Sequence, residues 1–243
     1  MPKPNISMFF PAYNEESNIK KVLDSAAKLL DEVANDYEIL VVVYEGSTDN
    51  TIEIVKNLER KNKKIMLVLQ PKDKKGIGYA KIIGFKSAKY PNIFYADSDN
   101  QFKLDEFKKF LPYIGKYDII AGYRLKRHDP KTRIIVSRLY NAMMRFLFGA
   151  KEKDLDCAFR LVDKRVISSI SLICSTGVAT TELLAKARKK GFKIKEIGVA
   201  HFPRTSGQSA FETKGLSIPK PREVYKILKE IARLWIDMRI KGN

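Results

Sequence analysis

The first half of the chain alternates short apolar strands with amphipathic helices, and this alternation limits the fold more than any other feature. The predicted strands are rich in β-branched and aromatic residues and lie at Ile6–Phe10, Tyr37–Val43, Ile65–Leu69, Asn92–Ala96 and Asp118–Gly122. Helical patterns separate them at Ser17–Leu30, Thr51–Lys61, Ile77–Ala88 and Leu104–Leu111. Continuous apolar strands between amphipathic helices are typical of a mainly parallel sheet that is covered on both faces.

Three polar loops follow strands of this predicted sheet. They read PAYNEE (11–16), EGSTDN (45–50) and DSDNQ (97–101). Taken singly, the first two are ordinary helix starts and turns, because Gly, Ser, Asp and Asn favour such positions. In open α/β sheets, however, ligands bind beyond the carboxyl ends of the strands. The three loops together therefore predict a binding site at one edge of the sheet.

The loop after the fourth strand carries two carboxylates one residue apart, Asp97 and Asp99, followed by the amide of Gln101. Paired acids beside an amide oxygen suit a hard divalent cation that keeps waters and bridges substrate phosphates. The alternative is capping, in which Asp99 or Asn100 would cap a helix that starts near Lys103. Capping accounts for one acid and leaves the second unexplained, so the pattern favours a metal site.

The segment Arg133–Phe148 is mostly apolar but has a polar residue at every fourth position. The polar stripe consists of Arg133, Ser137, Asn141 and Arg145, with Arg138 beside it. One interpretation is a core helix whose arginines reach the surface. The other is a helix in the membrane interface, with its apolar face on acyl chains and its arginines on phosphates. We favour the second, because Arg124, Lys126 and Arg127 lie just before the helix.

The C-terminal part adds a predicted helix at Thr180–Lys190, a strand at Lys193–Ala200 and a second amphipathic helix at Arg222–Lys241. We predict one domain over residues 1–215 and a helical appendage over 216–243. Three placements of the last helix stay open: on a bilayer, against the core, or against a second copy of the chain.

The charge is strongly basic, with 46 Lys+Arg against 28 Asp+Glu and a net charge of +18. That balance favours polyanionic partners such as nucleic acid, an anionic membrane or phosphorylated substrates. Nucleic acid is disfavoured, because the aromatic residues form no stacking platform and no known module is present. Two cysteines and two histidines disfavour thiolate- or imidazole-based metal sites. Without a signal-peptide pattern or a long apolar run, we expect a cytoplasmic protein.

The ordered loops and the motifs after them resemble the family 2 glycosyltransferases of the nucleotide-sugar-binding A-type fold. Within that family they are most similar to the dolichyl- and polyprenyl-phosphate sugar transferases. The later motifs are GYR at Gly122–Arg124, Ser137-Arg138, DCAFRLVDKR at Asp156–Arg165, Glu182, and Arg204-x-x-Gly207-x-Ser209. The resemblance runs from about Ile6 to Ala210. It implies a Rossmann-like α/β fold with a mainly parallel central sheet flanked by helices, and it makes residues 1–215 the catalytic domain.

The resemblance also implies roles for individual residues. Donor-binding residues would be Pro11, Tyr13, Glu15, Val43, Glu45, Asp97, Ser98, Arg204 and Ser209. Mg or Mn on the donor diphosphate would be held by Asp97, Asp99 and Gln101. Catalytic residues would be Asp99, Arg124, Arg138 and Glu182. The acceptor phosphate would be bound by Arg124, Arg133 and Arg138.

Two positions depart from the family pattern. Tyr44-Glu45 stands where two acids usually precede Gly-Ser, and Ala210 stands where a lysine often follows the final serine. A separate stretch, Gly76-x-Gly78, suggests a dinucleotide site, but Lys81 occupies the place of the third glycine and the stretch follows the third strand. We therefore exclude a Rossmann dehydrogenase.

The predicted reaction is inverting, metal-dependent transfer of a hexose from a GDP-mannose- or UDP-glucose-type donor to a polyprenyl or dolichyl phosphate. It would take place on the anionic inner face of the membrane, with the protein bound peripherally. A phosphate acceptor, with its second pKa near ~6, is already an oxyanion at pH 7 and needs cations instead of a base. Two alternatives stay open: transfer to a saccharide or protein hydroxyl with Glu182 as base, and a non-catalytic homologue that binds nucleotide sugars.

Overall fold

A seven-stranded sheet forms the centre of the protein in a computed structural model, which describes residues 2–126, 131–203, 212–213 and 216–240. The strands are β1 (Asn5–Ala12), β2 (Asp36–Tyr44), β3 (Ile65–Gln70), β4 (Asn92–Ala96), β5 (Ile119–Arg124), β6 (Phe159–Asp163) and β7 (Ile194–Val199). They lie in the order β3-β2-β1-β4-β6-β5-β7. Strand β6 is antiparallel to both of its neighbours, whereas the other pairings within this sheet are parallel. The predicted mainly parallel α/β fold is confirmed.

Helices cover both faces of the sheet. They are α1 (Ile19–Val33), α2 (Thr51–Lys61), α3 (Ile77–Ser87), α4 (Lys131–Phe148), α5 (Lys164–Ser169), α6 (Val178–Lys189) and α7 (Pro221–Ile240). A short antiparallel pair, β8 (Glu212–Thr213) and β9 (Leu216–Pro219), precedes α7. Within the described ranges, none of the helices combines the length and apolar content that crossing a bilayer requires.

Several elements differ from the sequence prediction, among them α5, β8 and β9, which were not predicted. The segment expected as a helix at Leu104–Leu111 forms two 3₁₀ helices, Leu104–Lys109 and Leu111–Tyr113. Strand β6 was not predicted, because the charged residue Arg160 interrupts its short apolar run. That arginine is fully buried and donates to the backbone carbonyls of Thr180, Asp154 and Leu155.

The sheet separates two hydrophobic cores. Successive residues of β2 point to opposite faces: Ile39 and Val41 enter the core with α1, whereas Leu40 and Val42 enter the core with α3 and α6. Both faces of the strand are thus buried, which explains why β2 is apolar without alternation.

The C-terminal helix α7 packs against the second core. Its Ile231 and Leu234 side chains are buried there, beside α6. Core packing, one of the three placements left open, therefore occurs on its inner face. The domain boundary at residue 215 stays a prediction.

Candidate active site

The loops after β1 and β2 are joined by reciprocal hydrogen bonds. Asn14, whose backbone is left-handed (φ 54°), donates from Nδ2 to Thr48 Oγ1 at 3.1 Å and accepts from the Thr48 N–H at 2.8 Å. Glu16 Oε2 accepts from the N–H and the side-chain amide of Asn50, at 3.0 and 2.9 Å. The Glu16 N–H donates to Asp49 Oδ2 at 3.0 Å. These polar residues shape the sheet edge by binding the opposite loop.

Glu15, a predicted donor ligand, is buried below this junction. Its carboxylate accepts from Asn18 Nδ2 at 2.7 Å, and its N–H donates to Thr51 Oγ1 at 2.9 Å. These contacts connect the start of α1 to the start of α2. The role of Glu15 in donor binding stays a prediction.

Two tyrosines and a lysine form an accessible surface beside these loops, which we call the aromatic corner (Tyr13, Tyr44 and Lys75). The two rings meet edge to face with centroids 5.8 Å apart. Lys75 Nζ lies 5.9 Å from the centroid of Tyr13 and 5.8 Å from that of Tyr44. Tyr44, which departs from the family pattern, thus faces the predicted donor residue Tyr13.

The other two predicted donor residues in this region lie differently. Val43 is fully buried in the first core, so its side chain does not reach the sheet edge. Glu45 is partly exposed at the end of β2, and its N–H donates to the Gln70 carbonyl at 2.9 Å. Of the two, Glu45 alone has a side chain at the edge.

The DSDNQ loop closes over the end of β1. Ser98 Oγ donates to the Pro11 carbonyl at 2.7 Å, and Asp99 Oδ1 accepts from the Gln101 N–H at 3.1 Å. The following 3₁₀ helix has Lys103 at its N-cap position, without a side-chain cap. The capping interpretation of Asp99 is therefore wrong. Its hydrogen bond stabilises the turn of its own loop.

The same loop offers a small set of oxygen ligands. Asp97 is partly exposed, Asp99 is 7% exposed, and Gln101 donates from Nε2 to the Phe202 carbonyl at 3.0 Å. Within the described part of the chain, no three His, Cys, Asp or Glu residues come together as a complete metal site. Two carboxylates and an amide oxygen fit a hard cation whose other ligands are phosphate oxygens and water. The residues thus fit Mg or Mn bound together with a diphosphate.

Lys81, which sequence reasoning used only to reject a dinucleotide site, lies buried behind this loop. Its Nζ donates to Thr180 Oγ1 at 2.5 Å and lies 5.3 Å from the ring centroid of Tyr95. Burial lowers the pKa of Lys81 to about 8. The negative charge of Asp97 acts in the opposite direction and raises this pKa, but by less. The signal in the sequence was a lysine within an otherwise apolar helix start.

A basic cavity of about 450 Å³ lies between β5 and α4. Its charged lining consists of Arg124, Arg138, Arg145, Lys153 and Asp154. Arg124 donates from Nε and Nη2 to the two carboxylate oxygens of Asp154 at 2.6 and 2.7 Å. Burial disfavours the charged guanidinium, but this ion pair outweighs it and raises the pKa of Arg124. The structure thus brings two predicted acceptor residues, Arg124 and Arg138, into one cavity.

Two further cations of this cavity were not predicted as ligands. Arg145 donates to the backbone carbonyls of Glu152 and Lys153, both at 3.0 Å. Lys153 Nζ lies 4.6 Å from the ring centroid of Tyr123. Lys153 follows β5 by almost thirty residues in sequence, so its position could not be inferred from spacing.

Two residues of the polar stripe on helix α4, Ser137 and Asn141, are buried. Ser137 Oγ donates to Asp156 Oδ2 at 2.7 Å, and Asn141 Oδ1 accepts from the Leu155 N–H at 2.9 Å. An apolar stripe faces outward instead, with Ile135, Leu139 and Phe146 exposed by 57%, 67% and 88%. The same helix also packs against the second core, where Met144 is fully buried. The outward stripe remains as an uncovered apolar face next to the basic cavity.

Glu182, the candidate base, is fully buried at the start of α6. Its carboxylate accepts from the N–H groups of Ile173 and Cys174 at 2.9 to 3.0 Å and pairs with Lys186 Nζ at 2.9 Å. Because the Glu182 carboxylate accepts hydrogen bonds from this backbone and pairs with Lys186, it holds the loop at residues 173–174 in place. Its role as a catalytic base stays a prediction, and this setting does not favour it.

The side chains of three predicted site residues lie outside the part of the protein that the structure describes. Arg204 and Ser209 lie outside the described residues, and of Arg133 only the backbone in α4 is described.

Comparison with known proteins identifies the family. The model of glycosyl transferase family 2 matches residues 7–171. Undecaprenyl-phosphate 4-deoxy-4-formamido-L-arabinose transferase of Proteus mirabilis is 25% identical over 207 residues, which are 85% of this chain and 62% of that protein. Glycosyltransferase AglD of Haloferax volcanii is 23% identical over 246 residues, which are 97% of this chain and 38% of that protein. The chain thus spans less than two thirds of the length of these relatives.

Solved structures share the fold. Glucosyl-3-phosphoglycerate synthase of Mycobacterium tuberculosis, crystallised with Mn²⁺, UDP and glucosyl-3-phosphoglycerate, superimposes with a TM-score of 0.69. The match covers 96% of this chain and 79% of the synthase, at 18% sequence identity. The predicted A-type fold is confirmed, and since the family model covers most of the chain, this protein belongs to glycosyl transferase family 2.

Proposed function

We propose that this protein transfers a hexosyl group from a nucleoside diphosphate sugar to a polyprenyl phosphate at an anionic membrane surface. One observation carries the proposal: α4 exposes an apolar stripe directly beside a cavity lined by arginines and lysine. An acceptor that joins a long hydrocarbon chain to a phosphate needs these two surfaces next to each other. The sheet edge with its acids supplies the other half, a site for the donor.

The donor would bind across the loops after β1, β2 and β4. The aromatic corner offers Tyr13 and Tyr44 for stacking of the base, with Lys75 at its rim. Asp97, Asp99 and Gln101 would hold Mg or Mn, as the synthase with the same fold was crystallised with Mn²⁺ and UDP. When bound, the ion would neutralise charge on the diphosphate.

The reaction would proceed by a single displacement. An oxygen of the acceptor phosphate forms a bond to the anomeric carbon while the bond from that carbon to the diphosphate oxygen breaks. The electron pair leaves with the nucleoside diphosphate, and the configuration at the anomeric carbon inverts. No proton has to move, because the acceptor phosphate is already ionised at neutral pH.

The cations of the cavity would bind and orient the acceptor phosphate. Arg138 is exposed at the cavity and, among the described residues, has no carboxylate partner, whereas Arg124 is paired with Asp154. We therefore assign the main contact to Arg138, assisted by Lys153, and give Arg124 the role of shaping the cavity wall. The planar guanidinium of Arg138 also matches the geometry of phosphate oxygens.

The outward faces of α4 and α7 support binding to an anionic membrane. Helix α4 contains no acidic residue. In α7, Glu230 and Asp237 bind groups inside the protein, and Glu223 pairs with Lys226 at 2.9 Å. The exposed side of α7 therefore presents apolar residues, among them Trp235 and Ile240, beside five exposed cations. Such faces suit a helix lying in the membrane interface.

The test measures released nucleoside diphosphate from UDP- and GDP-sugars, with and without a short polyprenyl phosphate, in the presence of Mn²⁺ or EDTA. We expect release that depends on both the lipid phosphate and the metal. Arg138→Ala should raise the KM for the lipid phosphate about tenfold, as expected for loss of one charged contact. Equal release with water-soluble saccharide acceptors and no lipid would contradict the proposal and support a hydroxyl acceptor.

A further inference from the structure

The inner face of α7 carries two carboxylates that hold one segment of the chain, residues 171–176, which we call the strap. Glu230 is the first. Its Oε1 accepts from Ser175 N and Oγ at 2.6 and 2.5 Å, and its Oε2 accepts from Thr176 N and Oγ1 at 3.0 and 2.6 Å. Four donors on two adjacent residues make this the main link between α7 and the strap.

Asp237 holds the other end of the strap indirectly. Its Oδ2 accepts from Lys186 Nζ at 2.7 Å, and the same ammonium donates to the Ser171 carbonyl at 2.7 Å. Lys186 also pairs with Glu182, which binds the N–H groups of Ile173 and Cys174. Burial lowers the pKa of Lys186, but its two carboxylate partners outweigh it, so that the pKa lies above its ordinary value.

The strap in turn lies directly against the glycine-rich start of α3. The Gly78 N–H donates to the Ser175 carbonyl at 2.7 Å. A Cβ atom on Gly78 would lie 2.3 Å from the Cys174 carbonyl oxygen, and one on Gly76 would lie 2.3 Å from that of Ser175. Gly76 also has a φ of 135°, which only glycine adopts readily. Both glycines are therefore required for this close approach.

The loop that ends at Gly76 borders the aromatic corner. Gln70 Nε2 donates to the Gly76 carbonyl at 2.9 Å, and Tyr44 Oη donates to the Lys72 carbonyl at 3.1 Å. Lys75 is the residue next to Gly76 and reaches both tyrosine rings. Hydrogen bonds thus connect α7 to the strap and the strap to Gly78, and the backbone from Gly78 to Lys75 leads on to the surface that would bind the nucleotide.

We propose that Glu230 is a positioning residue for the nucleotide donor, acting through the strap on Lys75 and the aromatic corner. The inference rests on the proposed function for the existence of a donor site at this edge. It assigns to α7, predicted as an appendage, a part in donor binding. The opposite face of α7 is the apolar and cationic one. A membrane bound to that face would therefore contact the same helix that holds the strap against the start of α3.

The experiment measures the Kd of UDP and of GDP, each with Mn²⁺, by calorimetry on the full chain. Glu230→Gln keeps the shape of the side chain but turns an amide NH₂ toward the donors of Ser175 or Thr176. We expect it to weaken binding of the preferred nucleotide about tenfold, because the strap would no longer hold Lys75 and the aromatic corner in the binding geometry. Glu223→Gln, on the same helix and outside this network, should bind as the wild type does.

A second control separates positioning from stability. Leu234→Ala removes a buried side chain of α7 but none of the hydrogen bonds to the strap, so it should lower the unfolding temperature and leave the Kd unchanged. Equal weakening by Leu234→Ala, or wild-type affinity in Glu230→Gln, would overturn the inference. If the wild type binds neither nucleotide, the proposed function fails instead.

A third variant addresses the same contact from the other side. Gly78→Ala places a methyl group against the strap and should also weaken nucleotide binding. If Glu230 acts through this contact, the double variant Glu230→Gln/Gly78→Ala should lose less affinity than the sum of the two single losses. Strict additivity would show that the two residues act independently. If Glu230→Gln does not fold, Thr176→Val, which removes one of the four donors, takes its place with the same expected direction.

Discussion

Two groups of carboxylates differ in what surrounds them: Asp97 and Asp99 at the sheet edge, and Glu182, Glu230 and Asp237 around α7. The edge pair lies in a loop that follows a parallel strand, with one acid partly exposed. Of the three acids around α7, Glu182 and Asp237 are buried and Glu230 is half-buried, and they bind backbone N–H groups, hydroxyls or Lys186. The sequence alone made both Asp99 and Glu182 catalytic candidates. Their settings indicate that the second group holds the fold, whereas ligand binding by the first group, at the sheet edge, stays a prediction.

The largest effect should come from Asp99→Asn. Loss of a metal-binding carboxylate should lower turnover at least about a hundredfold, because charge building on the leaving group would lose its stabilisation. Thermal unfolding should change little. Asp105→Asn, with 79% of its side chain exposed, is the matched control and should retain activity. Full activity of Asp99→Asn in EDTA would contradict a metal at this edge.

Glu182→Gln should show the opposite pattern. Breaking the buried contact with Lys186 should lower the free energy of unfolding by about 3 kcal/mol, while kcat at saturating donor and acceptor changes little. Urea unfolding and steady-state kinetics on the same preparation measure the two quantities. Glu53→Gln, exposed on α2, serves as control. A collapse of kcat in a well-folded Glu182→Gln would restore its role as base and favour a hydroxyl acceptor.

Lys81 lies between the two groups and gives a dependence of stability on pH. Its folded pKa is about 8, below the ordinary value of 10.5, so between these values the unfolded state binds more protons. The free energy of unfolding of the wild type should therefore rise with pH in this window, relative to Lys81→Met, by up to about 1.4 kcal/mol per pH unit. Urea unfolding from pH 7 to 10 in EDTA tests this, and a constant difference would refute the lowered pKa.

The smallest effect on the fold should come from Phe146→Ser on the outward face of α4. Phe146 is 88% exposed, so its replacement should change the free energy of unfolding by less than about 0.5 kcal/mol. Binding to phosphatidylserine vesicles should nevertheless weaken in a sedimentation assay. Leu69→Ser, on the edge strand β3, removes an apolar residue elsewhere and should bind vesicles normally. Equal binding by both variants would remove α4 from the membrane contact.

Much of this protein could be predicted from local patterns. The strands β1 to β5 and the helices α1 to α4 lie within a few residues of their predicted positions, because short continuous apolar runs mark the strands and helical periodicity marks the helices. The meeting of the three polar loops followed from parallel pairing, since successive parallel strands end at the same edge. The family resemblance was confirmed by the match over residues 7–171.

The remaining features depend on residues that are far apart in sequence. Arg124 is paired with Asp154, Ser137 with Asp156, and Glu230 with Ser175 and Thr176. No local sequence pattern predicts such partners, because an Asp or Glu residue is identical in the sequence whether its carboxylate is exposed or accepts hydrogen bonds from N–H groups. The sequence likewise did not show which residues of α4 are buried and which face outward.

The sequence by itself thus determined the α/β architecture, the sheet edge at which the three polar loops meet, and the family. Hydrophobic patterns and short connections are local properties, so they can be recognised in the sequence. The tertiary structure decided which acids remain at that edge, which are used inside the protein, and that α7 is tied to the glycine-rich loop. Those outcomes depend on burial and on hydrogen bonds between distant segments, which exist only once the chain has packed.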